Sequence, residues 1–223
     1  MNSSVKKGFK DDGTVVTNLD FEIESSLREA IRSSYPSHSI VGEELDVETN
    51  NSPFSWIIDP IDGTYNFCNG SPLFGTLIGF LEDGFPRYGF MRLPLVDDIV
   101  VFGDNEHTTV CGNPTSVRKF NGWNCSLVLT TDIYTIKNSP ASYHWQHIIK
   151  QGATARTWGD CYGYFMVCSG NADLMADTNL KDVDILPIIP LLRGAGVSIH
   201  TFGRKDFKHI IVSSAEALSD LNL

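Results

Sequence analysis

The chain has 223 residues, 42% of them hydrophobic and 20% charged, enough to bury a substantial core and too apolar for extensive disorder. A formal net charge of −10 excludes a nucleic-acid groove or a face for anionic membranes, since each needs clustered Lys and Arg. Cys68, Cys111, Cys125, Cys161 and Cys168 form no C-x-x-C pair, no apolar run approaches the ~18 residues of a membrane span, and no secretory leader is legible; reduced thiols, a cytoplasmic location and a small-molecule partner are expected.

The first dozen residues, MNSSVKKGFKDD, are polar and without period, and read as a frayed lead-in. Over 20–34 the apolar positions Ile23, Leu27, Ala30 and Ile31 recur at helical spacing, and Tyr35-Pro36 supplies a stop. Short strands are expected at 39–41, running into Gly42-Glu43-Glu44, and at 56–59, breaking at Pro60. The stretch 73–103 reads as successive antiparallel strands, with turns at Glu82-Asp83-Gly84 and Leu93-Pro94-Leu95. Beyond it the pattern predicts a strand at 125–131, a helix at 141–150, a buried helix at 162–169 and a strand at 172–176. A last helix is expected over 184–193, where an interior Pro190 would cost roughly 3 kcal/mol and force a kink or an early end, with Gly194 and Gly196 as caps. The fold class is layered α/β. No clean linker is visible, and the best seam, at 113–123, divides the compact unit into halves 1–112 and 113–223.

The densest chemical signal is WIIDPIDGTYNF, 56–67. A strand delivers Asp59 to its end, Pro60 and the turn return Asp62 to the same mouth, and Gly63-Thr64 can open a helix whose free amides face an anion. On its own, D-P-x-D-G is as readily a plain turn, because Asp, Pro and Gly all favour turns for backbone reasons. As a site, two carboxylates sharing one mouth repel each other unless a cation lies between them, and Mg2+, with its preference for hard oxygen ligands and phosphate, is the natural candidate. Cations held there would also explain how so acidic a chain could handle phosphate.

This segment closely resembles the signature of the inositol monophosphatase family, and further family features follow in order: Thr17-Asn-Leu-Asp20 is similar to its T-x-x-D, Gly42-Glu43-Glu44 to its G-E-E, and Asp184, eleven residues before Ala195-Gly196, to the acid ahead of its A-G-G. The resemblance implies a sandwich of alternating α-β-α-β-α layers, like that of the sugar phosphatases. It further implies two or three Mg2+ ions held by Glu43, Asp59, Asp62, Asp184 and the Ile61 carbonyl, and a homodimer. Residues 1–112 would then be the half carrying most of the metal site, and 113–223 the half completing it. By the same resemblance Thr64 and Glu43 activate a water for attack on phosphorus, Asp20 lies behind Thr64 and polarises it, and the Gly63 and Thr64 amides hold the phosphate.

Within the family, Trp158-Gly-Asp-Cys-Tyr-Gly-Tyr164 resembles the histidinol-phosphate phosphatase branch. That implies a substrate pocket with Arg156, Asp160, Cys161 and Asp177, in which Asp160 suits a cationic ester, and an enzyme releasing histidinol and phosphate in histidine biosynthesis. A phosphatase for inositol 1-phosphate or another small sugar phosphate is the alternative within enzymes; a weakly catalytic metal-binding homologue with a regulatory or assembly role is the alternative of another class. The chain departs from the family pattern in Val183, where Trp is usual, in Gly194, where an acid is common, and in lacking a long helix before Lys10, which would leave a core face uncovered.

Overall fold

The computed structural model describes residues 5–10, 13–203 and 207–223. Residues 1–4 and 11–12 of the expected lead-in lie outside the described residues. Between them Lys7–Phe9 (β1) pairs antiparallel with Val15–Thr17 (β2), so the lead-in contains a hairpin whose strands are too short to show a period. Asn18–Ser34 (α1) starts two residues before the apolar period does, because Thr17 caps it. The Thr17 hydroxyl accepts the Leu19 N–H (3.2 Å), while the Asp20 carboxylate accepts both the Thr17 N–H (2.8 Å) and its hydroxyl (2.6 Å), a capping box.

One sheet follows in chain order: Ser39–Gly42 (β3), Phe54–Asp62 (β4), Gly75–Glu82 (β5), Phe85–Leu93 (β6), Ile99–Gly103 (β7), Thr108–Val110 (β8) and Asn113–Pro114 (β9). Its first pair is parallel and the rest antiparallel, as the turn signals predicted for 73–103. A second sheet holds Leu127–Leu129 (β10), Thr154–Arg156 (β11), Leu174–Thr178 (β12), Ser198–Thr201 (β13) and His209–Ser213 (β14), in the order β11-β10-β12-β14-β13. Here β10 runs parallel to both neighbours, and β14 antiparallel to β12 and β13.

The helices form three layers around these sheets. In the middle, Asp160–Cys168 (α5), Asp182–Ile185 (α6) and Ile189–Gly194 (α7) join Leu77, Met91 and Val101 of the first sheet to Leu129, Met175 and Val212 of the second in the largest core. Ile133–Lys137 (α3), Ser142–Lys150 (α4) and Ala215–Asp220 (α8) cover the far side of the second sheet through Ile136, Trp145 and Leu218. On the outer side of the first sheet, α1 packs Ile31 and Leu27 against Ile40, Ile58 and Trp56. The result is the α-β-α-β-α sandwich. Beside α1 the outer sheet face stays open, with Trp56, Ile78, Phe80, Tyr88 and Phe102 lining an apolar groove of about 560 Å³.

The helix expected over 184–193 is two short ones. Pro190 falls in the first turn of α7, where its missing N–H leaves no bond unmade, and not in a helix interior. A stripe of cross-strand glycines, Gly79↔Gly89↔Gly103, lets the 187–191 backbone lie directly on the first sheet: a Cβ on Gly89 would stand 2.1 Å from the Pro187 carbonyl oxygen. Five free cysteines are present, and no helix of the described residues is long and apolar enough to cross a membrane.

Candidate active site

Asp59 and Asp62 reach one mouth by a device that their spacing does not reveal. Residues three apart on a regular strand face opposite sides of a sheet. Between the pairs Asp59↔Leu77 and Asp62↔Gly75, however, β4 advances three residues (62 − 59) while β5 advances two (77 − 75). The extra residue is a bulge, and it turns both carboxylates the same way. The strand therefore continues through Pro60 where a break was expected; a residue with no N–H to pair is tolerated in a bulge, and the Pro60 carbonyl accepts the Thr76 hydroxyl (2.9 Å).

The third acid arrives from the middle layer. Val183 packs with Ile57 of β4 and Leu81 of β5, so α6 docks over the bulged strand and carries Asp184 to its mouth. Asp59, Asp62 and Asp184 bring carboxylate oxygens within 4.8 Å of one another. Burial, first, and the neighbouring acids, second, push the Asp59 and Asp62 carboxyls well above the usual range, and burial lifts Asp184 to about 6. Among the described residues no lysine or arginine forms an ion pair with any of the three. Asp59 Oδ1 is buried with no hydrogen-bond partner, while Asp62 accepts the Cys161 N–H and Asp184 the Lys181 N–H (2.7 Å). An all-oxygen set of three acids, none in an ion pair of its own among the described residues and one with an orphaned buried oxygen, fits a hard divalent cation.

Glu43, on the turn after β3, lines the same cleft, and its Oε1 accepts from Lys10 Nζ (2.9 Å) and Lys181 Nζ (3.2 Å). Gly63 adopts the left-handed conformation (φ +81°) that starts Thr64–Cys68 (α2), as the glycine in the motif implied. One expected contact does not form: the Thr64 hydroxyl donates to the Ile61 carbonyl (2.9 Å), and the Asp20 carboxylate is engaged by Thr17 instead of Thr64. The T-x-x-D spacing is that of a capping box, which ties Asp20 to its own helix; its Oδ1 remains buried without a partner.

The rest of the lining comes from the second sheet, the turn after β10, and α5. The cleft, about 730 Å³, is lined by Glu43, Asp59, Ile61, Asp62, Gly63, Thr64 and Asp184 on one side and by Thr131, Asp132, Asp160, Tyr164 and Asp177 on the other. Asp160 begins α5 with a left-handed backbone (φ +50°), a conformation costing a non-glycine residue roughly 1–2 kcal/mol. Its carboxylate accepts from Asn66 Nδ2 (2.9 Å), and burial raises it to about 6. Asp177, on β12, is buried and lifted to about 7 by that burial and then by Asp160, although Thr131 (3.1 Å) and Tyr164 (3.2 Å) donate to it.

Two expected pocket residues are elsewhere. Arg156 is exposed on the edge strand β11, where its guanidinium turns back to the Ala155 carbonyl (2.7 Å) and does not line the cleft, because an edge strand leaves one side to solvent. Cys161 is fully buried; its amide holds Asp62 and its thiol faces the Asp62 carbonyl (3.9 Å), so it supports a carboxylate from behind. Conversely, Asn66, Thr131, Lys10 and Lys181 hold acids of the site and were not anticipated. A signal for Thr131 existed: it stands just past the C-terminal end of a parallel strand, where open α/β sheets bind ligands.

The family model described as inositol monophosphatase family matches residues 2–219. The chain is 41% identical over 197 residues to a histidinol-phosphatase of Mycobacterium tuberculosis, covering 84% of this chain and 74% of that one. It is 30% identical over 187 residues to a histidinol-phosphatase of Chlorobaculum parvum, covering 84% and 72%. A fructose-1,6-bisphosphatase/inositol-1-monophosphatase of Aquifex aeolicus is 28% identical over 225 residues, covering 98% and 83%. Among solved structures, the extragenic suppressor protein suhB from Bartonella henselae shares the fold with a TM-score of 0.89 at 19% identity, over 98% of this chain and 87% of that one. Every residue lining the acidic cleft falls inside the family match, and the chain accordingly belongs to the inositol monophosphatase family, as a phosphoric monoester hydrolase.

Proposed function

We propose that the protein hydrolyses histidinol phosphate, or a close cationic relative, in the presence of two or three Mg2+ ions. The observation that carries this reading is the second wall of the cleft, where Asp160 and Asp177 offer acids facing the ester beyond the metal ligands. An ester with an ammonium and an imidazole is attracted there, whereas an uncharged polyol gains nothing from two acids. The histidinol-phosphatase relatives, at 30% and 41% identity, support the same choice.

Glu43, Asp59, Asp62 and Asp184, with the Ile61 carbonyl, would hold the ions. When bound, Mg2+ supplies neutralisation of the phosphoryl charge and activation of water near neutral pH. The chain's own residues do the rest. Gly63 and Thr64 present amides at the start of α2 to the phosphate. The Ile61 carbonyl fixes the Thr64 hydroxyl by accepting its hydrogen bond (2.9 Å), which leaves the oxygen lone pairs of Thr64 to orient a water. Glu43 is the carboxylate placed to take a proton from that water, and Lys10 and Lys181 hold it in position. Water oxygen ends on phosphorus and the P–O ester bond breaks, with a proton passing to the departing alcohol.

The test is phosphate release from histidinol phosphate and inositol 1-phosphate side by side, with Mg2+ and with chelator. The expected result is Mg2+-dependent release with kcat/KM at least about tenfold higher for histidinol phosphate, the scale of one charge-assisted contact. A preference for inositol 1-phosphate, toward which the name of the Aquifex relative points, overturns the substrate and leaves the phosphatase site standing.

A further inference from the structure

Between the two acids of the substrate wall stands a hydroxyl with two partners. Thr131 Oγ1 accepts the N–H of Asp160 (3.0 Å) and donates its own proton to Asp177 Oδ2 (3.1 Å). A hydroxyl has one proton to give and lone pairs to receive, so this pair of bonds uses both capacities and joins α5 to β12 across the cleft wall. Two features accompany the contact. Gly159 lies so close to Thr131 that a Cβ on it would stand 2.2 Å from Thr131 Cα, so the two segments touch backbone to backbone. Asp160 also holds a left-handed backbone, φ +50°, and in that conformation its N–H meets Thr131 Oγ1. On the far side Asn66 Nδ2 donates to Asp160 Oδ2 (2.9 Å) and to the Leu73 carbonyl (3.0 Å), so the Asp160 carboxylate is gripped from the motif segment while its backbone is gripped by Thr131.

The neighbouring acid behaves differently. Asp132 also lines the cleft, but its Oδ1 accepts the Tyr134 and Thr135 N–H groups (2.7 Å each) as the N-cap of α3, so its charge is engaged in holding a helix end. Asp160 and Asp177 accept hydrogen bonds too, from Asn66, Thr131, Tyr164 and the Thr178 N–H, but cap no helix, and they are the two acids that Thr131 joins.

We infer that Thr131 is the positioning residue that sets the separation of Asp160 and Asp177 and thereby selects phosphate esters carrying a second, cationic group. The inference rests on the reading of the substrate as cationic given above. Thr131 does not touch the reacting atoms; it acts through the two acids, so its removal blurs selection more than it slows hydrolysis.

The experiment compares native protein, Thr131→Val and Thr131→Ser, each loaded with Mg2+, on histidinol phosphate and on β-glycerophosphate, which has no cation. Valine keeps the shape and abolishes both hydrogen bonds; serine keeps both. The ratio of kcat/KM for histidinol phosphate over β-glycerophosphate is expected to fall about tenfold in Thr131→Val, the scale of a charge-assisted hydrogen bond, mainly through KM. It is expected to return to within about twofold of native in Thr131→Ser. Calorimetric Mg2+ binding curves should superimpose for all three. If Thr131→Val does not fold, Thr131→Ala takes its place with the same reading. An unchanged ratio in the valine or alanine variant, an equal loss on both esters, or weakened Mg2+ binding overturns the role of Thr131. Native protein that shows no preference for histidinol phosphate overturns instead the cationic-substrate reading beneath it, and the two failures are told apart by the native ratio alone.

Discussion

The first sheet carries two buried clusters of charge, and they are built on opposite principles. Beneath α1, Glu24 is fully buried, yet Arg28 Nε donates to it at 2.8 Å, and the Glu44 N–H (2.8 Å) and Leu45 N–H (3.2 Å) complete its coordination. Arg28 itself, 1% exposed, continues to Glu48 (2.7 Å) and the Leu45 carbonyl (3.1 Å). At the cleft, Asp59, Asp62 and Asp184 converge with no ion pair of their own among the described residues, Lys10 and Lys181 bonding Glu43 beside them. The carboxyls respond in opposite directions: Arg32, and then Arg28, draw Glu48 down to about 2, whereas burial drives the cleft acids up. A buried acid that the chain pairs with its own arginine serves the architecture; a group of buried acids left without pairs of their own suits a cation.

The sharpest way to break this contrast is to remove one charge from each cluster. Arg28→Ala leaves Glu24 buried and unpaired, and should lower unfolding stability by about 3–5 kcal/mol in denaturant titration, with full activity per folded molecule. Asp62→Asn, in the cleft cluster, should do the reverse. Activity is expected to fall at least about a hundredfold, the scale of losing one transition-state electrostatic contact, while the metal-free protein unfolds no earlier than native, because one source of repulsion is gone. A large stability loss in Asp62→Asn would mean that this cluster, too, is architecture.

The two regions should also titrate in opposite senses. A carboxylate whose folded pKa lies above its unfolded value contributes stability while it is protonated; that contribution is present below about pH 4 and is lost as pH rises through about 6 for Asp160 and Asp184 and about 7 for Asp177. Metal-free protein should therefore melt at a lower temperature at about pH 8 than at about pH 5, and Mg2+ should restore the difference by binding only the folded form. Glu48 follows the other sign: its folded value of about 2 stabilises above the unfolded carboxylate range and is lost as pH falls toward 2. Thermal melts across pH with and without Mg2+ test both limbs, and an upper limb indifferent to Mg2+ would count against the cation site. The smallest effect belongs to the exposed Arg87–Glu82 pair (2.9 Å), where Arg87→Ala should change stability by less than about 1 kcal/mol in the same denaturant assay.

Much of this organisation was legible in the chain. Helical period located α1, and the apolar pattern α4 and α5, to within two residues at each end, while alternation with turn signals found β5, β6 and β7. The motif around Asp59 and Asp62 named the acids, since residue type and local order are properties of the sequence. What spacing could not supply was direction. Asp59 and Asp62 share a face only because β4 bulges against β5, and a bulge is decided by the partner strand's register. Asp20 and Thr64 were expected to meet, but Thr17 lies nearer to Asp20 along the chain and claims its carboxylate as a cap. Arg156 occupies an expected motif position and points away, because β11 is the edge of its sheet.

By itself, then, the sequence determined the residue chemistry: an acidic motif with glycine at its turn, helices and strands set by local pattern, and a net charge of −10 to which cations at a phosphate site would be suited. Only the tertiary structure decided which acids meet. Asp184 reaches Asp59 because a cross-strand row of glycines admits the backbone that follows α6, and Thr131 joins Asp160 to Asp177 because Gly159 lets two segments touch. The physical reason is that local energetics fix the conformation of a segment, whereas the distance between segments is set by the volume and register of everything packed between them.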